Sequence, residues 1–276
     1  MSIIILIMGL VFVIAVYIAF IHLKKKQSET AWRHTRIVAH RGSSGVCPEN
    51  SKSAFDHALS SQADLIELDI QLSKDEKFMV IHDASLKRTS GDKRLVCELT
   101  KQELKAVDIG IWKGKHFEGE RILSLSEVLE QYLSNISLLV EVKHIDDPAK
   151  TARLLAEQLK DVPFGNKHEL IIQSFDRAFL EHFHQIMPSI PLGILVPQKA
   201  KPLNRKQLKD YLSFATYVNP KITMASKQTI DQIHELGGKC IVWTINTEQQ
   251  RNQMVNTRAD GIATDYPEWF QNRISN

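Results

Sequence analysis

Two strand-like segments of the sequence carry acidic side chains where apolar ones are expected. In "LIELDIQL", Glu67 and Asp69 alternate with apolar residues, so both carboxylates face the same side of a strand. Glu141 and Lys143 share one side of "LLVEVK" in the same way. Buried carboxylates are costly unless a cation neutralises them, and three oxygen ligands suit Mg²⁺ or Ca²⁺ better than Zn²⁺. We therefore expect Glu67, Asp69 and Glu141 to bind a divalent cation, either Mg²⁺ or Ca²⁺.

A metal-free cluster is the alternative for these acidic residues. In that arrangement, Lys143 would form ion pairs with one or two of the three carboxylates. One ammonium group cannot neutralise three buried carboxylates, and an uncompensated buried charge is strongly destabilising. The charge balance therefore favours a bound cation.

Two histidines end strand-like segments close to these acidic residues. His40 ends "RIVAH", and His82 ends the return strand of a hairpin whose register would place it beside Glu67 and Asp69. An imidazole is the usual general acid or base near neutral pH, and the guanidinium of Arg41 suits a phosphate or a carboxylate. A cation, two proton carriers and an arginine together predict phosphoryl chemistry.

Later strand ends add weaker candidates for substrate contact. Gln173 lies in "IIQSF" and Asn246 in "VWTIN", each where a strand would end. Trp243 belongs to the second of these segments, and its alternation with Thr244 favours packing. We keep Gln173, Trp243 and Asn246 as candidate substrate-binding residues.

Nine apolar strand-like segments alternate with helix signals from residue 36 onward. Two of them, "LIELDIQL" and "FMVIHD", are separated by "SKDEK", which is too short for a parallel crossover, so they must pair as an antiparallel hairpin. Eight segments remain for a parallel sheet, the number of a (β/α)8 barrel. A doubly wound sheet is the alternative, but the sequence lacks the GxGxxG loop that would support it. We therefore predict an α/β fold of the TIM-barrel type, with its catalytic groups at the carboxyl ends of the strands.

Helix starts and one insertion complete this outline. "TKQE" at 100–103, "SLSE" at 124–127 and "TEQQ" at 247–250 have the form of a capping box. Residues 84–123 break the alternation of strands and helices and are too long for an ordinary connection. We expect them to form a small insertion with one short helix.

The amino terminus differs from the rest of the chain. Residues 2–20 contain no charge and no proline, and a run of that length can span a bilayer as a helix. A cleaved signal peptide is the alternative, but no basic residue precedes the run and no small-residue cleavage site follows it. We predict a single-pass transmembrane anchor over 1–23, a linker over 24–35 and the barrel over 36–276. Three lysines directly after the apolar run place the catalytic domain in the cytoplasm, at the cell membrane.

Composition narrows the remaining classes of partner. The chain has 276 residues and a net charge of +3, and this weak charge, without a basic stripe, argues against nucleic acid. Its three cysteines form no CxxC pair, which favours reduced thiols over disulfides or a zinc site. Together with the predicted phosphoryl chemistry, this makes a small-molecule phosphodiester the expected substrate, and the amino-terminal helix adds the membrane as a partner.

Six motifs occur in the order and spacing typical of the glycerophosphodiester phosphodiesterase family, part of the PLC-like phosphodiesterase superfamily. They are "AHRGSSGVCPENSKSAF", "DLIELDIQLSKDEKFMVIHDASLKRTSG", "LLVEVK", "IIQSF", "VWTIN" and "DGIATDYP". The chain resembles a membrane-anchored bacterial-type member of this family. The resemblance implies a TIM barrel that hydrolyses glycerophosphodiesters to sn-glycerol 3-phosphate and an alcohol.

The resemblance also implies a role for each candidate residue. The three carboxylates would hold the cation, and His40 and His82 would act as acid and base, in an order that the sequence leaves open. Arg41 and Lys143 would contact the phosphate, and the insertion is associated with the glycerol end of the substrate. Small departures from the family pattern, such as Ser51 where Thr is usual, remove no catalytic group and bear on substrate preference.

Two other functions compete with this one. A lysophospholipase D acting on lysophospholipids would use the same barrel and cation, and the anchor favours it; but the anchor would enter the barrel opposite the mouth, which disfavours it. An inactive, membrane-tethered scaffold would be expected to lack some catalytic groups, and all of them are present. We therefore expect an active, metal-dependent hydrolase.

Overall fold

The computed structural model describes residues 8, 12–18, 32, 34–163, 168–197, 203–255 and 257–273. Within them, nine strands belong to one sheet. They are β1 (Arg36–Ala39), β2 (Leu65–Leu72), β3 (Phe78–Val80), β4 (Ser137–Val142), β5 (Leu170–Ser174), β6 (Leu192–Val196), β7 (Tyr217–Pro220), β8 (Ile241–Val242) and β9 (Gly261–Thr264).

Eight of these strands are parallel and close into a barrel. Neighbouring strands follow the order β7, β6, β5, β4, β2, β1, β9, β8. The last strand, β8, returns to β7 through parallel bridges that join Tyr217 to Lys239 and Lys221 to Trp243. The ninth strand, β3, pairs antiparallel with β2. The predicted hairpin and the eight-stranded TIM barrel are therefore confirmed.

Nine α-helices in the same part of the chain connect or flank the strands. They are α1 (Lys52–Ser60), α2 (Lys87–Ser90), α3 (Lys101–Lys105), α4 (Leu125–Tyr132), α5 (Pro148–Leu159), α6 (Arg177–Ile186), α7 (Arg205–Tyr211), α8 (Lys227–Glu235) and α9 (Glu248–Met254).

The three predicted capping boxes lie at the starts of α3, α4 and α9. At α3 and α4, a glutamate carboxylate accepts from the backbone N–H of the capping residue, Thr100 or Ser124. At α9, the Thr247 hydroxyl accepts from the backbone N–H of Gln250. The Gln250 side chain accepts from the backbone of Asn246 rather than Thr247, so this half of the box is displaced by one residue.

The inward-facing side chains of the barrel change from apolar to polar along the strands. A lower layer is formed by Val38, Leu65, Leu139, Ile171, Tyr217, Ile241 and Ala263. Two positions further along three of these strands stand His40, Glu67 and Glu141. Because side chains alternate along a strand, these polar groups occupy the inward-facing register above the apolar layer. Outward-facing residues such as Ile66 and Leu68 pack in the cluster that the helices cover.

Residues 84–123 form a small unit outside the barrel, with two short helices, α2 and α3, where the sequence led us to expect one. A separate apolar cluster holds the unit together, built around the fully buried Leu86, Val96, Leu104 and Ile122. The additional helix, α2, has four residues and no side-chain cap at its start. α2 therefore lacks the two features that predict a helix from sequence, which are an apolar period over several turns and a capping side chain at the start.

The predicted transmembrane anchor falls largely outside the described residues, which include only residue 8 and residues 12–18 of that segment. Residues 12–18 are helical, and their large apolar side chains are exposed. Among the described residues, no helix has both the length and the apolar character needed to cross a membrane. The anchor, the linker and the cytoplasmic placement of the domain therefore stay predictions.

Candidate active site

Three carboxylates meet at the catalytic ends of β2 and β4. Parallel pairing sets Asp69 beside Glu141, and Glu67 lies one inward-facing position before Asp69 on the same strand. Carboxylate oxygens of the three residues lie within 4.8 Å of one another, and all three residues are buried. The structure thus brings together the three residues that the sequence predicted as cation ligands.

The charge within this cluster fits a divalent cation. Lys143 Nζ lies 2.5 Å from Glu141 Oε1 and 3.4 Å from Asp69 Oδ1, and this Asp69 oxygen is buried with no hydrogen bond from the described residues. Burial and the charge of Asp69 raise the pKa of Glu67 to about 7 and that of Glu141 to about 8. A hard cation held by these oxygens would keep the carboxylates ionised, so the donor set suits Mg²⁺ or Ca²⁺.

Arg41 connects the carboxylate cluster to the first barrel strand. Its Nε lies 3.2 Å from Asp69 Oδ2, and its backbone N–H donates to Glu67 at 2.9 Å. Burial alone would raise the pKa of Asp69, but the charges of Arg41 and Lys143 outweigh it and lower that pKa. The backbone of Arg41 is left-handed, with φ of +55°.

His40 is paired with a carboxylate at the end of β9. Its Nδ1 lies 2.6 Å from Asp265 Oδ1, and Asn246 Nδ2 donates to the other Asp265 oxygen at 2.6 Å. Burial alone would lower the pKa of His40, but the hydrogen bond to Asp265 and the charge of Glu67 raise it above its usual value. Because an ionised carboxylate only accepts, Nδ1 carries a proton and Nε2 is left to act on a substrate.

His82 also has a carboxylate partner, which belongs to a chain of ion pairs. Nδ1 of His82 lies 2.7 Å from Asp83 Oδ1, and the other Asp83 oxygen accepts from Arg88 Nε at 2.7 Å. Arg88 donates twice to Glu49, at 2.6 and 2.7 Å, and Glu49 accepts from Arg41 at 2.9 Å. The insertion, through Arg88, therefore holds the carboxylate that orients His82.

The two histidines differ in their preferred charge. Burial lowers the pKa of His82 below its usual value, and the nearby charge of Asp69 offsets only part of this effect. The pKa of His40 is raised. These environments therefore favour the protonated form more strongly at His40 than at His82.

A cavity of about 210 Å³ opens between these groups. It is lined by His40, Arg41, Glu67, His82, Leu139, Glu141, Lys143, Gln173, Phe175, Leu195, Ile241, Trp243 and Ala263. Four of the five predicted substrate-binding residues are among them. The fifth, Asn246, is not in this lining and contacts Asp265 instead. Asn246 therefore supports Asp265, the hydrogen-bond partner of His40.

Gln173 and Trp243 are held by Asn219, a residue outside the set predicted from the sequence. Asn219, fully buried at the end of β7, donates to Gln173 Oε1 at 3.0 Å. Its backbone carbonyl accepts from Trp243 Nε1 at 2.9 Å. Trp243 also meets Phe175 edge to face, with 5.8 Å between ring centroids, so the indole both packs and lines the cavity.

Comparison with known proteins points to one family. The model of the glycerophosphoryl diester phosphodiesterase family matches residues 40–269, which include every group described above. The chain belongs to this family. YhdW of Bacillus subtilis is 38% identical over 85% of this phosphodiesterase-family chain and 96% of its own length.

Two further relatives extend this comparison of the phosphodiesterase. An Oleispira antarctica phosphodiesterase, solved in complex with the product sn-glycerol-3-phosphate, has a TM-score of 0.78 and 27% identity over 87% of this chain and 97% of its own. A mouse lysophospholipase D is 26% identical over 96% of this chain and 93% of its own length.

Sequence reasoning found the groups that line the phosphodiesterase cavity but missed most of those that hold them. Asp83 follows His82 directly, so strand-end position could have indicated it. Arg88 and Asn219 contact the site through the fold, and Asn50 binds Asp69 from a loop. Strand periodicity carries no signal for these three residues.

Proposed function

We propose that this chain hydrolyses glycerophosphodiesters to sn-glycerol 3-phosphate and an alcohol, with a divalent cation and two histidines that act as acid and base. One arrangement carries the proposal: buried carboxylates and two histidines face one cavity, and each histidine is bonded through Nδ1 to its own carboxylate. The Oleispira antarctica relative, described with sn-glycerol-3-phosphate as its product, supports the same substrate class.

Arg41 and Lys143 would bind the phosphate of the substrate. Both line the cavity, and their side chains are 18% and 14% exposed, so their charges act with little screening by water. A cation on the three carboxylates would supply further positive charge to the phosphate oxygens. Positive charge fixed in advance stabilises the charge that develops on those oxygens during the reaction.

The two histidines would divide the proton transfers. Neutral His82 would accept, at Nε2, the proton of the attacking hydroxyl, which belongs to water or to a neighbouring glycerol hydroxyl. Protonated His40 would donate from Nε2 to the leaving oxygen, so the bond from that oxygen to phosphorus breaks as the bond from the attacking oxygen forms, and the alcohol departs uncharged. If a glycerol hydroxyl attacks, the product of this step is a cyclic phosphodiester, which water would then open to sn-glycerol 3-phosphate with the two proton transfers reversed. Asp83 and Asp265 would stay ionised and hold each ring in place.

A lysophospholipase D activity is the second candidate, and one observation favours it. The match to the mouse lysophospholipase D spans 96% of this chain, against 85% for YhdW, and so takes in more of the chain than the barrel alone. In that reaction the acyl chain would extend through the cavity mouth, past the half-exposed Phe175.

The anchor belongs to the same proposal. An uncharged run over residues 2–20, with lysines at 24–26, supports a single-pass helix over 1–23 and a catalytic domain in the cytoplasm at the cell membrane. The complete set of catalytic groups disfavours an inactive, membrane-tethered scaffold.

One assay tests the proposed function. The full chain, purified in mild detergent, is given glycerophosphocholine, glycerophosphoethanolamine or lysophosphatidylcholine, each with Mg²⁺ or Ca²⁺, and the products are identified. We expect sn-glycerol 3-phosphate and the free alcohol from the first two substrates. The double variant His40→Ala/His82→Ala controls for contaminating enzymes. If lysophosphatidylcholine is strongly preferred, the second candidate replaces the first; if no substrate reacts, both fail.

A further inference from the structure

Exposed apolar side chains are concentrated at one end of the barrel. Among the described residues from 34 onward, the exposed large apolar side chains are Val46, Leu95, Ile111, Trp112, Phe175, Ile186 and Trp269. Val46, Phe175 and Trp269 follow the carboxyl ends of β1, β5 and β9. Leu95, Ile111 and Trp112 belong to the insertion, which begins beside the cavity-lining His82 and contacts the site through Arg88. We call Val46, Ile111, Trp112 and Trp269 the mouth rim. An exposed apolar patch beside a cavity marks a surface that binds a partner.

The mouth rim is continuous, because its segments contact one another. Lys113, which follows Trp112, donates from Nζ to the Gly45 carbonyl at 3.0 Å. A Cβ at Gly45 would lie 2.3 Å from the Tyr266 ring, so this loop and Tyr266 are in close contact. Tyr266 stacks on Trp269, with ring centroids 4.3 Å apart. Contacts therefore run across the rim from Trp112 to Trp269.

Both rim tryptophans lie against cations. The Arg88 guanidinium is 6.0 Å and Lys113 Nζ is 5.7 Å from the centre of the Trp112 ring. The Arg251 guanidinium is 5.4 Å from the Trp269 ring. Indole rings favour the headgroup region of a bilayer. Arg88 is held by Glu49 and Asp83, so the cations that would attract the phosphates of that region are Lys113 and Arg251. This pairing of side chains suits a phospholipid surface.

The residue Trp32, four positions before β1, packs against the segment that carries Trp269. Trp32 is buried and packs edge to face against Phe270, with 5.3 Å between ring centroids. Phe270 is the neighbour of Trp269 in the sequence. The chain before β1 is therefore packed against the segment that carries the second rim tryptophan.

We propose that the mouth rim docks on the surface of a phospholipid bilayer, with Trp112 and Trp269 at the level of the headgroups. Docking would turn the cavity toward the membrane, so that lipid-borne phosphodiesters enter it directly from the bilayer. This surface goes beyond the proposed function, in which the membrane only holds the anchor.

Tryptophan fluorescence tests the docking without any assay of activity. The full chain is reconstituted with vesicles of equal parts phosphatidylcholine and phosphatidylglycerol, with and without bromine on the phosphatidylcholine acyl chains. We expect brominated lipid to quench the emission. The quenching should fall in Trp112→Phe and in Trp269→Phe, and it should be almost lost in the double variant. Trp243→Phe, which removes an indole inside the cavity, is the matched control and should retain it.

Two results would overturn the proposal. Quenching that is unchanged in the double variant would show that other tryptophans approach the bilayer. No quenching, together with a dimer in solution, would assign the rim to a second copy of the chain.

A second measurement connects docking to substrate access and rests on the proposed function. The pair Ile111→Ser/Trp269→Ser should lower turnover of lysophosphatidylcholine in vesicles by about tenfold, while glycerophosphocholine in solution is hydrolysed as before. Ile186→Ser, at the end of α6 and equally exposed, should change neither rate. Equal losses of turnover on lysophosphatidylcholine and on glycerophosphocholine would contradict docking. Inactivity of the unsubstituted chain on both substrates would contradict the proposed function alone.

Discussion

Asn50 binds Asp69 through both ends of its side-chain amide. Asn50 Nδ2 donates to Asp69 Oδ2 at 2.9 Å, and Asn50 Oδ1 accepts from the Asp69 backbone N–H at 3.2 Å. Both residues are buried, and the backbone of Asn50 is left-handed, with φ of +56°, a conformation that asparagine tolerates well. Asn50 therefore fixes the orientation of a carboxylate that we assign to the cation.

Removal of this amide should weaken cation binding. Asn50→Gly deletes the side chain and keeps the left-handed backbone accessible. We expect the dissociation constant for Mg²⁺ or Ca²⁺ to rise about 10- to 100-fold, because the partner that orients a ligand is lost. Isothermal titration calorimetry measures this directly. An unchanged dissociation constant would contradict the role of Asn50.

The adjacent residue supplies a matched control. The Ser51 hydroxyl accepts from the backbone N–H of Ala54 and caps α1. Ser51→Ala should lower the free energy of unfolding by about 1 kcal/mol and leave the cation affinity unchanged. The pair of variants separates a defect of the carboxylate cluster from a general loss of stability in the loop.

Addition of the cation should stabilise the folded chain. Three buried carboxylates share the cluster with Lys143, and burial raises the pKa of Glu67 and Glu141. A cation bound only by the folded state at a 100-fold excess over its dissociation constant adds about 3 kcal/mol. The melting temperature should therefore rise with Mg²⁺ or Ca²⁺. The increase should be largely lost in Glu141→Gln.

Glu169→Gln is the control for this measurement. Glu169 pairs with Arg36, at the amino-terminal end of the barrel, far from the carboxylate cluster in the strand register. Its substitution should preserve the cation-dependent rise. A rise of equal size in Glu141→Gln would assign the stabilising cation to some other part of the chain.

The sequence predicted the fold because its signals are local. Alternation within β2 and β4 identifies the inward-facing carboxylates, and a five-residue connection requires the β2–β3 hairpin. The same alternation places His40 above Val38 in the barrel. In each case, the decisive information lies within one strand or one turn.

Supporting contacts could not be predicted in this way, because they join distant parts of the chain. His40 and Asp265 are 225 positions apart, and Gln173 and Asn219 are 46 apart. Asn246 was predicted to contact substrate because it follows a strand, yet it binds the partner of His40. The position of a polar residue at a strand end predicts that its side chain is near the site. Which residue that side chain contacts depends on the three-dimensional fold.

The pH dependence should reveal which histidine is the acid. If His40 donates a proton, kcat/KM is lost as the pH rises through its pKa, which lies above 6.5. If His82 accepts one, kcat/KM is lost as the pH falls through its pKa, which lies below 6.5. Asp265→Asn replaces the carboxylate whose hydrogen bond and charge raise the pKa of His40, so the alkaline limb should move to lower pH.

Asp83→Asn is the counterpart on the other histidine. The hydrogen bond from His82 to Asp83 raises the pKa of the imidazole, so the acid limb should move to lower pH and the alkaline limb should stay in place. Both variants should also turn over more slowly, because the asparagine amide can favour the wrong tautomer. Movement of the acid limb in Asp265→Asn would reverse the assignment.

Position 42 needs a glycine for two reasons, its left-handed backbone and the close approach of Ala54. Two variants can test these reasons separately. Its φ is +75°, and an added Cβ would lie 2.7 Å from backbone atoms of Ala54 in α1. Gly91 has a φ of +80°, but an added Cβ there would have no atom within 4 Å. Gly91→Ala should therefore lower the free energy of unfolding by about 1 kcal/mol through backbone strain alone.

Gly42→Ala should cost more, because α1 must also move away from the new methyl group. We expect a loss of about 2 to 4 kcal/mol in urea unfolding. Turnover should fall as well, since Arg41, which contacts Asp69 at 3.2 Å, precedes the displaced residue. Equal losses of stability in the two variants would mean that α1 moves away from the methyl group at no cost in free energy. In that case the left-handed backbone of Gly42, and not its contact with Ala54, would explain the need for glycine.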